Sequence, residues 1–496
     1  MNDESRTRQV MQDLSDDAAG DPARTLLRLE PACATLSALS KLDLKNQALV
    51  SIPASLAVCC RLEHLDIGGN VTLRSLDGIE RLPMLRILFA KGCSLGPKLQ
   101  AGGPLSQAAS IFMLGIADVG LTELDGAALP PSLGWLIAPQ NAISVIKNPT
   151  RLGSVRKLML SHNHLDAFAA DRLIDAIPAL EMVRLACNQL ETVPPSAFAH
   201  PRLAWLAIGG NPYAKRAVDA ALTAASGGGA GVAGAGTTFL PDASEVEVDE
   251  TVLGQGSGAV VKRGAWRGKP VAVKLWSAER FSDGDARGEW VAGRLTGDCP
   301  DLVRTLAAWE SPSLGMALEL LEGASAVGGP PNFGTVTRDA FTDGKQPKLG
   351  VLEAFNVAVT VARAGEWLHT RGLMHGDVYL HNTLRVAGSS RALGRPPRAM
   401  DDIVRLSDLG AACAYDRGAH AGLEKIEVRS FGWLVHDLLS WIAPGPYVQE
   451  SKCLGLMREV ANACTSEELS RVPSFSSALA QLRTATEYQV LSSGVS

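Results

Sequence analysis

The feature that most restricts this chain is a spacing. Apolar residues in the pattern LxxLxLxx(N/C)xL recur with their first member at Leu39, Leu62, Leu85, Ile111, Leu133, Val155, Leu180 and Leu203, at intervals of 23, 23, 26, 22, 22, 25 and 23 residues. An isolated LxxL is common, whereas a period held through eight units over about residues 36 to 213 is not. A single unit of this length cannot bury its own apolar face, so a chain with this period stacks its units and shares one core among them.

The units resemble the leucine-rich repeat family, most clearly in LGWLIAPQNAI, VRKLMLSHNHL and LEMVRLACNQL. The resemblance implies an α/β solenoid in which each unit is a short strand followed by a turn, and in which the side-chain amides of Asn70, Asn141, Asn163, Asn188 and Asn211 satisfy turn backbone groups. Gln47, Cys93 and Val119 stand at the Asn position of three units, so the first half is expected to be less regular. Strand alternation turns the leucines inward and leaves Ile87, Phe89, Met113, Trp135, Ile137, Met159, Met182 and Trp205 on the concave face. An apolar stripe of this length exceeds the few hundred Å² that a monomer tolerates. A protein partner or substrate is therefore expected on Phe89, Met113, Trp135, Ile137, Met159 and Trp205, the alternative being that the following domain folds back over the stripe. His162 and His164 alternate like a metal pair, but they sit in a repeat turn beside Asn163 with no third ligand at readable spacing, and carry no chemistry.

Residues 224–238, AASGGGAGVAGAGTT, have the glycine-rich, uncharged composition of a flexible linker. The expected organisation is an acidic N-terminal segment (1–35), the repeats (36–223), a Gly/Ala linker (224–240), a second domain (241–487) and a tail (488–496). With 47 Lys+Arg against 52 Asp+Glu and no basic cluster, neither nucleic acid nor an anionic membrane is an expected partner. The nine cysteines are scattered without a CxxC pair, which predicts neither a zinc site nor a disulfide framework. The polar, acidic first 25 residues are unlike a secretory signal, and no run approaches the apolar length of a membrane span. A cytoplasmic protein with reduced thiols is expected.

After the linker, VDETVLGQGSGAVVKRGAWRGKPVAVKLW reads as a strand, a glycine loop, a second strand, a turn at Arg267 to Pro270, and a third strand that carries Lys274. Glycine suits such a loop because backbone amides must approach phosphate oxygens that a Cβ would obstruct. Lys274 lies 20 residues after Gly254, a spacing that lets one strand pair bring its ammonium under the same loop. HGDVYLHNTL from His375 and SDLG from Ser407 follow, each after an apolar stretch.

This ordered set resembles the protein-kinase fold over about residues 245 to 485, which implies an α+β two-lobed domain following the solenoid, with ATP and Mg²⁺ as cofactors. Residue by residue, Gly254, Gly256, Gly258 and Val261 match the glycine-rich loop, Lys274 the third-strand lysine, and Glu289 its helix-borne partner. Leu318, Glu319 and Leu321 match the gatekeeper and hinge, while Val261, Ala272 and Leu384 close the adenine slot. Asp377 matches the catalytic aspartate, and Asn382 and Asp408 the two metal ligands. The family roles follow: Lys274 fixes the α/β phosphates, and Asp377 orients the accepting hydroxyl and takes its proton, a step worth roughly 10²–10⁴ in rate.

The departures bear on function. Ala259 stands in the slot of the third loop glycine, Gly376 in that of the HRD arginine, and Tyr379 in that of the lysine two residues after the catalytic aspartate. Only the 16 residues Ala411 to Ile426 separate DLG from Glu427, which replaces the usual aspartate of the central helix. No APE motif fits there, and Arg471 loses its expected partner. The only hydroxyl in that segment is on Tyr415, so no phosphorylation switch is expected. The reading is a Ser/Thr kinase whose repeats recruit a partner. An ATP-binding pseudokinase scaffold and a small-molecule kinase of the aminoglycoside or choline kinase type stay open beside it.

Overall fold

Leu42, Leu65, Leu88, Leu114, Leu136 and Leu158, one from each successive repeat, are fully buried, each at the centre of a three-residue strand. The structure, a computed structural model, describes residues 37–226, 237–256, 258–277, 280–281, 284–341, 349–386, 402–445 and 452–493. The expected acidic segment, most of the glycine-rich linker and the end of the tail lie outside them. The chain divides into two units, Met1–Leu180 and Glu181–Ser496.

In the first unit, β1 (Lys41–Asp43), β2 (His64–Asp66), β3 (Ile87–Phe89), β4 (Met113–Gly115), β5 (Trp135–Ile137) and β6 (Lys157–Met159) form a parallel ladder in sequence order, with the central leucines in register. The turn asparagines hold consecutive repeats together. Asn70 Oδ1 accepts from the amides of Gln47 and Leu49 in the preceding repeat, and its Nδ2 donates to the carbonyls of Leu44 and Ile67. Asn141 repeats this with Val119, Leu121 and Ile116. Where the asparagine is replaced by Cys93, its thiol reaches the Ile67 carbonyl at 3.3 Å. Each such bond is worth about 1 kcal/mol net, but leaving the turn amides unsatisfied would cost more.

The second unit begins with a parallel pair, β7 (Met182–Arg184) and β8 (Trp205–Ala207), followed by α1 (Pro212–Ser226). A six-stranded sheet comes next, in the order β9 (Thr238–Phe239), β13 (Thr305–Trp309), β14 (Gly315–Glu319), β12 (Lys269–Trp276), β11 (Ala259–Trp266), β10 (Val246–Gln255). Helix α2 (Ala286–Leu295) starts at Asp285, whose carboxylate caps the Gly288 amide, and buries Trp290, Val291 and Leu295. That face shares a core with Met316 of β14, with Leu368 of α3 (Val351–Thr370), and with Ala217, Val218 and Ala221 of α1. The residues on either side of the glycine run thus belong to one unit.

The remaining helices, α4 (Gly422–Trp441), α5 (Lys452–Cys464) and α6 (Phe475–Ser493), pack on α3 around Phe355, Phe431, Leu438, Met457, Phe475 and Leu479. Each of these buried side chains contributes about 1.5–3 kcal/mol. Two small sheets set the site loops: β15 (Ser325–Ala326) with β17 (Thr383–Val386) and β18 (Ile403–Leu406), and β16 (Leu373–Met374) with β19 (Cys413–Ala414).

Exposure varies along the apolar stripe. Ile87, Phe89 and Ile137 are half-buried, and Met113, Trp135, Met159, Met182 and Trp205 are buried. Within the first unit, Phe89 lies across Gly115, where a Cβ would collide with its ring, and the Lys157 ammonium sits 4.0 Å above the Trp135 ring. Within the second, Met182 and Trp205 pack with Ala204, Tyr379 and Trp433.

Candidate active site

Sheet register builds one wall of the site. Gly254 pairs with Val261, Val261 with Lys274, and Lys274 with Met316, one line of residues across four strands. Ala272 pairs with Leu318 two residues along, so Val261, Ala272, Lys274 and Leu318 share a face. A Cβ at Gly254 would meet nothing within 4 Å, so the backbone there can be approached closely. The Gly256 amide turns back to the Ala259 carbonyl at 2.9 Å, and the Gly258 carbonyl accepts from the Ser277 amide at 3.0 Å. The Gly258 carbonyl thus prolongs the pairing of β11 with β12. Leu318, Leu321 and Leu384 are half-buried, and Glu319 is held by Arg304 at 3.2 Å.

Lys274 joins two elements. Its ammonium pairs with Glu289 Oε1 on α2 and lies 3.4 Å from Asp408 Oδ1. The other Glu289 oxygen accepts from the Trp276 indole at 3.1 Å, so the buried carboxylate is satisfied on both sides. Burial alone would lower the lysine pKa, but the two carboxylates reverse this and hold it charged. Asp408 has a left-handed φ of 61°, a conformation that costs energy outside glycine and concentrates at working sites. Burial raises its pKa, and Lys274 together with the Gly410 amide pulls it below the ordinary value.

The segment from His375 to Thr383 is fixed from several directions. Glu427, buried in α4, accepts from the amides of His375 and Gly376 and from His369 Nε2. Gly376 has a φ of 79°, and a Cβ there would collide with the Ala411 carbonyl oxygen, which explains glycine where the resemblance calls for arginine. The His375 ring spans the Ser407 carbonyl at 3.0 Å and the Asp377 amide at 3.3 Å. Asn382 Nδ2 donates to Asp377 Oδ2 at 2.9 Å and to its carbonyl at 2.8 Å, while the Asn382 carbonyl accepts from the Ser407 amide at 2.7 Å. This ties Asp377 and Asn382 to Asp408. Asp339 holds the far side through the amides of Leu380 and His381 and through His381 Nδ1.

Asp377 Oδ1 accepts from Arg184 Nη2 of β7 at 2.9 Å, both side chains being 12% exposed. Burial would raise the Asp377 pKa, but Arg184, His381 and His375 outweigh it and hold the carboxylate below its ordinary value. Beside it, the Trp205 indole donates to the Val378 carbonyl at 3.3 Å, and its ring stacks on Tyr379 with centroids 5.0 Å apart. The Tyr379 hydroxyl is buried with no hydrogen-bond partner among the described residues. Beyond Asp408, Tyr415 is buried with its hydroxyl 2.7 Å from His369 Nδ1. Arg471 pairs with Glu468, three residues before it.

Lys274, Glu289, Asp377, Asn382 and Asp408 are thus brought together, with Gly254 and Val261 on the adjoining strands. Arg184, Asp339, His369 and His381 escape sequence reasoning: nothing local marks the residue after Met182 and Val183 as the partner of one 193 positions away. Among the described residues, no cluster of three or more His, Cys, Asp or Glu could hold a metal by itself, and no helix is long and apolar enough to cross a membrane. Comparison with protein-family models and with curated proteins finds no match.

Proposed function

We propose that the second unit is an ATP-dependent phosphotransferase of the protein-kinase type, acting on Ser or Thr hydroxyls. The observation that carries this reading is the linked pair of clusters: Lys274 joined to Glu289 and Asp408, and Asp377 joined to Asn382, coupled through Ser407. A charged lysine held by two carboxylates suits phosphate oxygens. An ionised Asp377 suits a hydroxyl proton: the bond from the γ-phosphorus to the bridging oxygen breaks, the acceptor oxygen takes the phosphoryl group, and the proton passes to the carboxylate.

Asp408 and Asn382 fit Mg²⁺. Their ligand atoms are oxygens, since the Asn382 nitrogen is engaged by Asp377, and a hard cation is commonly held by one or two carboxylates with phosphates and water completing its shell. The bound ion would neutralise charge on the phosphates. The half-buried Phe89 and Ile137 of the first unit support recruitment of a protein partner there, and the free cysteines suit a cytoplasmic location.

A metabolite hydroxyl as acceptor is the second reading. It is favoured by the cover over Asp377, whose side chain is only 12% exposed. Incubation with labelled ATP and Mg²⁺, beside Asp377→Asn, tests the proposal. Transfer that disappears in the variant supports it. Calorimetry adds a second arm: Asp377→Ala keeps ATP–Mg binding and Asp408→Ala weakens it, and wild-type protein that binds no ATP refutes the phosphotransferase and scaffold readings together.

A further inference from the structure

We propose that Arg184, on a repeat strand, is a positioning residue of the phosphotransfer site, holding the carboxylate of Asp377 in its working orientation. The inference rests on the phosphotransferase reading and deepens it. Three observations carry it.

The first is the division of labour at the carboxylate. Asn382 takes Oδ2 from within the same segment, and Arg184 takes Oδ1 from β7 at 2.9 Å, so the two donors fix the plane of the carboxylate between them. Either alone would leave it free to rotate. The guanidinium, a planar fork with delocalised charge, suits this better than a flexible ammonium would.

The second is charge. Asp377, Asp408 and Glu289 stand in one site with Lys274, whose ammonium is already shared between Glu289 and Asp408. Tyr379, two residues after Asp377, supplies no cation. An ionised Asp377 would repel an incoming polyphosphate unless a positive charge stood beside it, and Arg184 provides one.

The third is permanence. A releasable arm would be joined by few, exposed contacts. Instead β7 and β8 are locked on by the Trp205–Tyr379 stack, by the indole bond to Val378, by the Glu181–Thr337 bond, and by Arg429 of α4. Arg429 is 1% exposed and donates to the carbonyls of His200 and Leu203 at 3.0 and 2.7 Å. These residues fall in the same compact unit as the site. The last two repeats are thus part of the catalytic unit, and the guanidinium is a fixture of it.

The experiment compares full-length wild type with Arg184→Ala and Arg184→Lys, following autophosphorylation and ADP release from labelled ATP with Mg²⁺. Arg184→Ala is expected to lower kcat by roughly 10–100-fold, the scale of a misplaced reacting group, with KM for ATP within about twofold. Arg184→Lys is expected to recover part of the loss, and guanidinium ion at millimolar concentration to recover part of it in the alanine variant; a merely structural role predicts neither. Should the alanine variant fail to fold, the lysine variant decides by the same split of kcat from KM. An Arg184→Ala enzyme with wild-type kcat overturns the inference and leaves the phosphotransferase reading standing. A faster one also overturns it, showing that the guanidinium restrains Asp377. Wild-type protein without Asp377-dependent transfer refutes both.

Discussion

Replacing Trp205 by alanine separates two uses of the repeat strands. If this side chain served only to capture a partner, its loss would leave folding and basal activity alone. In the structure it is 3% exposed, stacked on Tyr379 with the ring planes 5° apart, and bonded to the Val378 carbonyl. Truncating a buried tryptophan costs about 3–5 kcal/mol, within which the aromatic pair accounts for about 0.5–1.5. The indole bond is long at 3.3 Å and adds at most about 1 kcal/mol. A loss of about 4 kcal/mol is large against the 5–15 kcal/mol typical of a folded domain. At roughly 2 °C per kcal/mol for a unit of this size, the melting transition of the second unit should fall by about 8 °C. Differential scanning calorimetry measures this, with Trp135→Ala as the comparison in the first unit. Phosphoryl transfer should fall as well, since the segment carrying Asp377 loses its packing. A Trp205→Ala protein that melts and turns over like wild type would refute the reasoning and return the residue to the recruiting surface.

Tyr379→Phe keeps the stack and removes a buried hydroxyl that has no partner among the described residues, so the variant should be as stable as wild type or more stable by up to about 1 kcal/mol. Tyr379→Lys restores the residue of the resembled family but places a second buried cation beside Arg184, and should lower the melting temperature by several degrees. Tyr415 is buried on His369, so a broad-specificity phosphatase should leave initial rates unchanged, and Tyr415→Phe, which leaves the buried His369 Nδ1 without this partner, should cost about 1–3 kcal/mol; a large loss of rate after phosphatase would show a phosphorylation switch. For Glu427, burial pushes the pKa up, but His369 and the His375 amide outweigh it and hold it below the ordinary 4.5. Its contribution is therefore complete above about pH 4.5 and lost as the pH falls through the lowered native value. Glu427→Gln should cost about 2–3 kcal/mol at neutral pH and flatten the acid limb of melting temperature against pH; an unchanged acid limb would assign acid lability to other groups.

What the sequence displays well is whatever repeats or runs locally. The leucine period places six strands of the first unit because each unit faces the same steric problem, and the asparagines mark the turns because their amides answer the same unpaired backbone groups. Lys274 and Gly254 are legible because two successive short hairpins relate them, and Glu289 because a helix capped by Asp285 follows. Arg184 is not legible. Its role depends on β7 lying against a segment 193 residues away, and no propensity or period encodes that distance. The same holds for Trp205, whose alternation along a strand says nothing about what covers it. The glycine-rich composition of residues 224–238 is legible too, but composition does not say that the segments on either side pack into one core.

The departures from the resembled family are matched by compensations elsewhere in this unit, which argues that they are constraints on one another and not decay. Glycine at 376 permits a left-handed backbone close to Ala411, and the longer carboxylate at 427 reaches both amides that this turn presents. Tyrosine at 379 fills the space under Trp205, and the cation absent from that position returns on Arg184. The short segment after Asp408 buries Tyr415 on His369, whose other nitrogen meets Glu427, so the segment is ordered through the carboxylate that also holds the Asp377 turn. Removing one member of such a pair leaves a buried group without its partner, which is the costly case in a protein interior. Single reversions toward the family residue, Gly376→Arg above all, should therefore damage folding and activity together. At position 376 the new side chain meets a positive φ and the Ala411 carbonyl at once, so no partner substitution at 427 can rescue it.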